Sequence, residues 1–164
     1  MTVDDRVYVL ARAALDAIIN NWDADAEPLP ERQYVAFGLV AWDCEQLTVS
    51  ISRTYGVEAD VAAEQLVSNQ MFAMRGLEIE VSLIRCVPVA DTSGDVIIIP
   101  TADDIEASAR IAAIDERTIM NTLIEAQQDG DLGGCHGIAF GGWSAEGPNG
   151  GLGGGRLAVR LALF

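Results

Sequence analysis

Trp42–Thr54, W-D-C-E-Q-L-T-V-S-I-S-R-T, is the stretch whose reading decides the fold. From Leu47 on, the apolar Leu47, Val49 and Ile51 alternate with Thr48, Ser50 and Ser52. A period of two is the mark of a strand with one buried and one wet face. A second stretch, residues 77–89, repeats the pattern with Leu77, Ile79, Val81 and Leu83 set against Glu78, Glu80 and Ser82. The two strands are expected to pair antiparallel. Residues 55–76 then form a long excursion between them, a short helix or an irregular flap carrying Met71, Phe72 and Met74.

Working outward, Tyr34–Trp42 is rich in β-branched and aromatic residues and holds Gly38 at its middle, which predicts a strand interrupted by a bend. Residues 4–20 place Val7, Leu10, Ala11, Ala14, Leu15 and Ile18 at three- and four-residue spacings, the stripe of a helix, with Thr2 or Asp4 as its N-cap. The acidic run A-D-A-E-P-L-P-E, residues 24–31, reads as an extended connector because its two prolines cannot continue a helix. Downstream, Asp91–Asp95 reads as a turn and V-I-I-I-P, residues 96–100, as a short apolar run. Thr101 with Asp104 forms a capping box, and a long helix runs from there to about Gln128, with Gly130 as terminator. Ile105, Ala109, Ala112, Ile119, Met120 and Leu123 are placed on its packing stripe. About 26 residues of helix span roughly 39 Å, enough to cross the sheet.

Residues 136–143 and 156–164 read as a closing antiparallel pair, with Leu157, Val159, Leu161 and Leu163 on one face. Twelve of the sixteen glycines lie between Gly130 and Gly155, so residues 145–155 are expected to be a second long excursion, a loop that is flexible or adopts positive φ at several positions. The expected fold is therefore α+β: one domain over residues 1–164, a single mostly antiparallel β-sheet packed by an N-terminal helix and a long central helix.

Composition narrows the function. The chain has 164 residues, half of them hydrophobic, enough for a sizeable core. It carries 25 acidic against 10 basic residues, a net charge of −15, and no lysine at all. Such a surface repels phosphate backbones, which argues against DNA binding by counterion release. The three cysteines form no C-x-x-C pair, which fits a reducing compartment. M-T-V-D-D-R does not read as a leader, and no stretch reaches the roughly 18 apolar residues of a membrane span, so a soluble protein is expected.

Candidate chemistry is sparse. The glycine-rich run joins two strands and the chain has no lysine for a P-loop, so no nucleotide cofactor is expected. Cys44, Cys86, Cys135 and His136 match no spacing of a zinc site, and no metal is expected. His136 is the sole histidine, and no nucleophile elbow accompanies it. Asp43 and Glu45 are the carboxylate pair to watch, since alternation would put both on one face. A small enzyme using Asp43, Glu45 and His136 is thus one expectation, and a monomeric ligand-binding module another.

The block R-Q-Y-V-A-F-G-L-V-A-W-D-C-E-Q-L, residues 32–47, is followed by E-V-S-L-I-R-C-V-P-V, residues 80–89, and by the glycine-rich C-terminal strand pair. Together they resemble the neck proteins of long-tailed bacteriophages (siphoviruses) that infect actinobacteria. The element order looks like that of tail terminator proteins, and the arginine-only basic set agrees with a high-GC host. The resemblance implies a non-enzymatic structural protein of the virion neck, assembled in the host cytoplasm, with no cofactor. It implies a hexameric ring that caps the tail tube, contacts the tail tube protein and the head-completion proteins, and lets DNA pass through an acidic lumen without specific binding. A head-closure protein of the same neck is the alternative. In a ring the contacts are heterologous. Trp42, Asp43, Glu45, Gln46, Met71, Phe72, Asn149, Gly150 and Leu152 are the expected interface residues.

Overall fold

The two alternating stretches build the centre of the molecule. The computed structural model describes residues 3–41, 43–57, 74–90, 97 and 99–163. Among these described residues seven elements follow in order: α1 (Val3–Asn20), β1 (Gln33–Phe37), β2 (Gln46–Val57), β3 (Met74–Cys86), α2 (Ala102–Asp129), β4 (Cys135–Asn149) and β5 (Leu152–Leu163). The strands form one sheet in the order β1-β2-β3-β5-β4. All neighbours pair antiparallel except β1 and β2, which are parallel. The architecture is the expected α+β fold with an N-terminal helix, a long central helix and a mostly antiparallel sheet.

Register explains the core. Leu47 faces Leu83, Val49 faces Val81 and Ile51 faces Ile79, and these rows continue into Leu157 and Val159 of β5. Leu47, Val49, Ile79, Val81, Leu157 and Val159 are fully buried. Against this face pack Leu10, Ala11, Ala14, Leu15 and Ile18 of α1 and Ile119, Leu123 and Ala126 of α2. Full burial of one such aliphatic side chain stabilises the fold by about 1.5–3 kcal/mol, so these rows and helix stripes dominate the energetics.

Several expectations need correction. The strand expected over residues 34–42 stops at Phe37, because Gly38 turns the chain with φ 74° and donates its N–H to the Ile51 carbonyl. Glycine ends this strand and does not merely bend it. The even face of β2 is wet only beyond Ser50: Thr48 and Ser50 are buried, as is Ser82 of β3, while Ser52 is exposed. Thr48 lies in the cross-strand row Tyr34, Thr48, Ser82, Arg156, where two long side chains flank two small ones. The excursion expected over 55–76 is strand at both ends, since β2 runs to Val57 and β3 begins at Met74. Residues 58–73 lie outside the described residues. Asp4 lies within α1 and is no cap, while Thr2 is outside the described residues.

Residues 145–155 are no long excursion: the two strands continue through them to a tight hairpin, and of the two expected conformations it is the one with several positive-φ glycines that forms. Asn149 pairs with Leu152 across the two-residue turn Gly150-Gly151. Both turn residues have positive φ, 59° and 82°, the geometry whose twist matches that of the flanking strands. The tip is fastened where Val87 donates its N–H to the Gly151 carbonyl at 2.8 Å. Along β5, Gly155 leaves room for the Trp143 ring, whose atoms come within 2.1–2.5 Å of where a β-carbon would stand.

Helix α2 begins with the predicted capping box: the Asp104 N–H donates to Thr101 Oγ1 at 3.2 Å, and the Thr101 N–H donates to Asp104 Oδ2 at 2.9 Å. It ends at Gly130 with φ 83°. The expected packing stripe is only half realised. Its buried residues are confined to Asp115–Ala126, while Ile105 and Ala109 are exposed. Asp115 is bound to Arg85 near the end of β3, and the C-terminal end of α2 leads to Cys135, which pairs with Leu163 at the opposite end of the sheet. The first turns of α2 therefore extend past the Cys86 end of the sheet, and their nine exposed or half-buried residues, 102–110, reach about 13 Å.

Candidate functional site

Because β1 and β2 are parallel, the chain must return from Phe37 to the opposite end of β1 before β2 begins. The described residues 38–41 and 43–45 lie on that return, and Gln46 opens β2. Gln46 anchors it: fully buried, it donates through Nε2 to the Ala41 carbonyl at 3.1 Å and accepts from the Tyr34 hydroxyl at 3.3 Å. Arg32 lies over the Tyr34 ring at 5.1 Å and donates through one nitrogen to Asp43 Oδ1 and, at 2.9 Å, to Cys44 Sγ. The Asp43 carboxyl is held below its ordinary range by hydrogen bonds from Cys44 and then Arg32. Glu45 Oε1 accepts the backbone N–H of Cys86 at 2.6 Å. Partial desolvation, followed by the charge of Glu45, pushes the Cys86 thiol up. These contacts make a clasp that fastens the return segment to β1 and β3.

The clasp changes the reading of the predicted site residues. Gln46 is spent on internal hydrogen bonds and offers no surface for a partner. Asp43 and Glu45 precede the strand, in a bend, and serve different partners, so strand alternation does not pair them. His136 sits in β4 beside Cys135, at the Leu163 end of β5, whereas Glu45 binds Cys86 at the Leu152 end. Eleven strand steps separate those ends, roughly 35 Å. The structure thus does not bring Asp43, Glu45 and His136 together. Asn149 and Gly150 are exposed at the hairpin, and Leu152 is half-buried opposite Cys86. Trp42, Met71 and Phe72 lie outside the described residues.

A charged ladder runs across the face of the sheet away from the helices. Arg53 and Arg160 both bind Glu78 Oε2, at 3.0 and 2.9 Å. Arg156 NH1 contacts Glu80 at 3.3 Å, and its Nε lies 3.3 Å from Glu146, a charge contact without hydrogen-bond alignment. Sequence reading put Glu78 and Glu80 on a wet face but missed their arginine partners, because Arg156 and Arg160 reach them only through the β3–β5 register. The signal was present in the charges at alternate positions on two strands.

Hydrogen bonds from Arg160 and then Arg53 hold the Glu78 carboxyl below its ordinary range. A carboxylate with a depressed pKa in the folded state adds stability above its unfolded pKa, about 4.3, and that stability is lost as pH falls through the folded value. Glu78→Gln is expected to lower the urea midpoint relative to the wild type at pH 6, with the gap closing below about pH 4. Equal gaps at pH 6 and pH 3 would remove the ion pairs as its cause.

Comparison with known proteins gives no match to any family model and none among curated proteins.

Proposed function

We propose that this chain is a structural adaptor of a bacteriophage neck, a tail terminator that forms a ring, caps the tail tube and joins it to the head. The observation that carries an assembling role is the exposure of the first turns of α2. Ile105 is 58% exposed there, and the preceding Ile97 and Ile99 are 64% and 73% exposed. Large exposed aliphatic side chains on a projecting element mark a surface that meets another protein. The order of helix, strands, long helix and closing hairpin supports the terminator reading, which rests on the sequence resemblance. The net charge of −15 suits a lumen that DNA must cross without sticking. The hairpin turn at Asn149 and Gly150 offers a second exposed contact, at the same end of the sheet as the projecting helix.

A head-closure protein of the same neck is the second reading, favoured by the same exposed helix. Electron microscopy of particles assembled without the protein separates the two. Tails of uncontrolled length, unattached to heads, are expected for a terminator. Filled heads that leak DNA would transfer the role to head closure, and intact infectious particles would end both readings. Native mass spectrometry of the purified chain, alone and with the tail tube protein, is expected to show a six-fold species in at least one of the two samples.

A further inference from the structure

We propose that Cys44 and Cys86 are a reversible dithiol–disulfide pair that locks the 43–46 clasp onto β3. The β2–β3 register ends at Gln46 opposite Ile84. Continued by two more residues along each chain, that register would set position 44 opposite position 86. Directly opposed antiparallel residues have Cα atoms about 4.5–5.5 Å apart, inside the roughly 4.4–6.8 Å range that a disulfide bridges. The chain bends at 43–45, and the Glu45 side chain still reaches the Cys86 backbone. Val87 turns its N–H toward β5, bonding Gly151, so Cys86 turns its own toward the β2 side, where Glu45 Oε1 captures it at 2.6 Å.

The charges around the two sulfurs assign their roles. Cys44 Sγ has both a cation and an acceptor beside it, Arg32 donating to it at 2.9 Å and Asp43 Oδ1 accepting from it at 3.5 Å, whereas the charge acting on Cys86 is the carboxylate of Glu45, which disfavours its thiolate. Cys44 is therefore the sulfur that reacts first with a hydroperoxide. Its lone pair attacks the terminal oxygen and the O–O bond breaks, leaving a sulfenic acid and releasing an alcohol, or water from hydrogen peroxide. The Cys86 sulfur then attacks Cys44 Sγ, the S–O bond breaks, and the hydroxyl leaves as water with the Cys86 proton. The two thiols have given two electrons to the peroxide, and a dithiol reductant reverses the bond. In a reducing compartment the pair rests open, and it closes outside one. Cys135 stands at the far end of the sheet, with its thiol donated to the Gly137 carbonyl at 3.2 Å, and takes no part.

The arginine-only sequence makes the test direct, because trypsin leaves the three cysteines in separate peptides, 33–53, 86–110 and 118–156. The full-length protein, as an equal mixture of 14N and 15N chains, is exposed to hydrogen peroxide, alkylated and digested without reduction. The expected result is peptide 33–53 joined to 86–110, two hydrogens lighter than their sum, within one isotope label, and undone by dithiothreitol. Cys135 is expected to stay alkylated. Cys44→Ser and Cys86→Ser should abolish the linked peptide, Cys135→Ser should leave it, and Arg32→Gln should slow its formation several-fold. No link, a link to Cys135, or a link only between labels overturns the proposal.

Discussion

Asp115→Ala lowers the free energy of unfolding by about 3–5 kcal/mol, a large part of what holds a domain of this size together. The reason is what the substitution leaves behind. Arg85 is 9% exposed and Asp115 3%. Arg85 Nε and NH2 donate to the two carboxylate oxygens at 2.7 and 2.9 Å. The same guanidinium holds the carbonyls of Pro28 and Glu27, at 2.7 and 3.2 Å. One side chain thus ties the end of β3 to α2 and to the proline connector. Without Asp115 the guanidinium stays buried with no countercharge on α2. The pair as a whole is worth much less than its rupture, since desolvating both ions offsets most of their attraction. Arg85→Met with Asp115→Leu is accordingly expected to unfold within about 1 kcal/mol of the wild type, or later. Urea midpoints of the two variants test both statements. A loss below about 1.5 kcal/mol for Asp115→Ala would show that water or a rearranged connector reaches Arg85. Hydrogen exchange adds a local readout: because Asp115 marks where α2 leaves the sheet, residues 102–114 should exchange faster in the single variant.

Neither partner of that pair could be matched from sequence. Arg85 continues the core alternation of Leu77, Ile79, Val81 and Leu83, so its position on the helix-packed face could be read, but an arginine there argues against burial until its partner is known. Asp115 sits thirty residues on, inside a helix with acids on every side. What could be read was periodic: both central strands, both helices, the capping box at Thr101 and the terminator at Gly130 follow from spacing and local hydrogen-bond chemistry. The clasp could not be read, because Glu45 meets Cys86, and Gln46 meets Ala41 and Tyr34, only once β1 lies parallel to β2. Glycine left two readings open. Its abundance after residue 145 allowed either a flexible loop or several positive-φ positions, and the structure takes the second, which a tight, closely paired hairpin requires.

Gly154→Ala tests that last point and carries the second large effect, a loss of at least about 3 kcal/mol. Gly154 lies in β5 opposite Ile84 of β3 and Glu146 of β4, with φ 148°. A β-carbon there would stand 2.1 Å from the Leu83 carbonyl oxygen and 3.2 Å from the Ile84 Cα. These are backbone atoms, so no rotamer change relieves the overlap. The strands must separate locally, and the ladder from Cys86–Leu152 to Leu83–Gly155 opens with them. Gly150→Ala is the control, because its β-carbon would meet nothing within 4 Å and only its positive φ opposes the change. That strain costs about 1 kcal/mol. A loose loop would treat the two substitutions alike. A wide gap between their urea midpoints, with Gly154→Ala the weaker protein, is the signature of a hairpin built into the sheet. Unfolding free energies within about 0.5 kcal/mol of each other would return residues 145–155 to the status of a mobile connection.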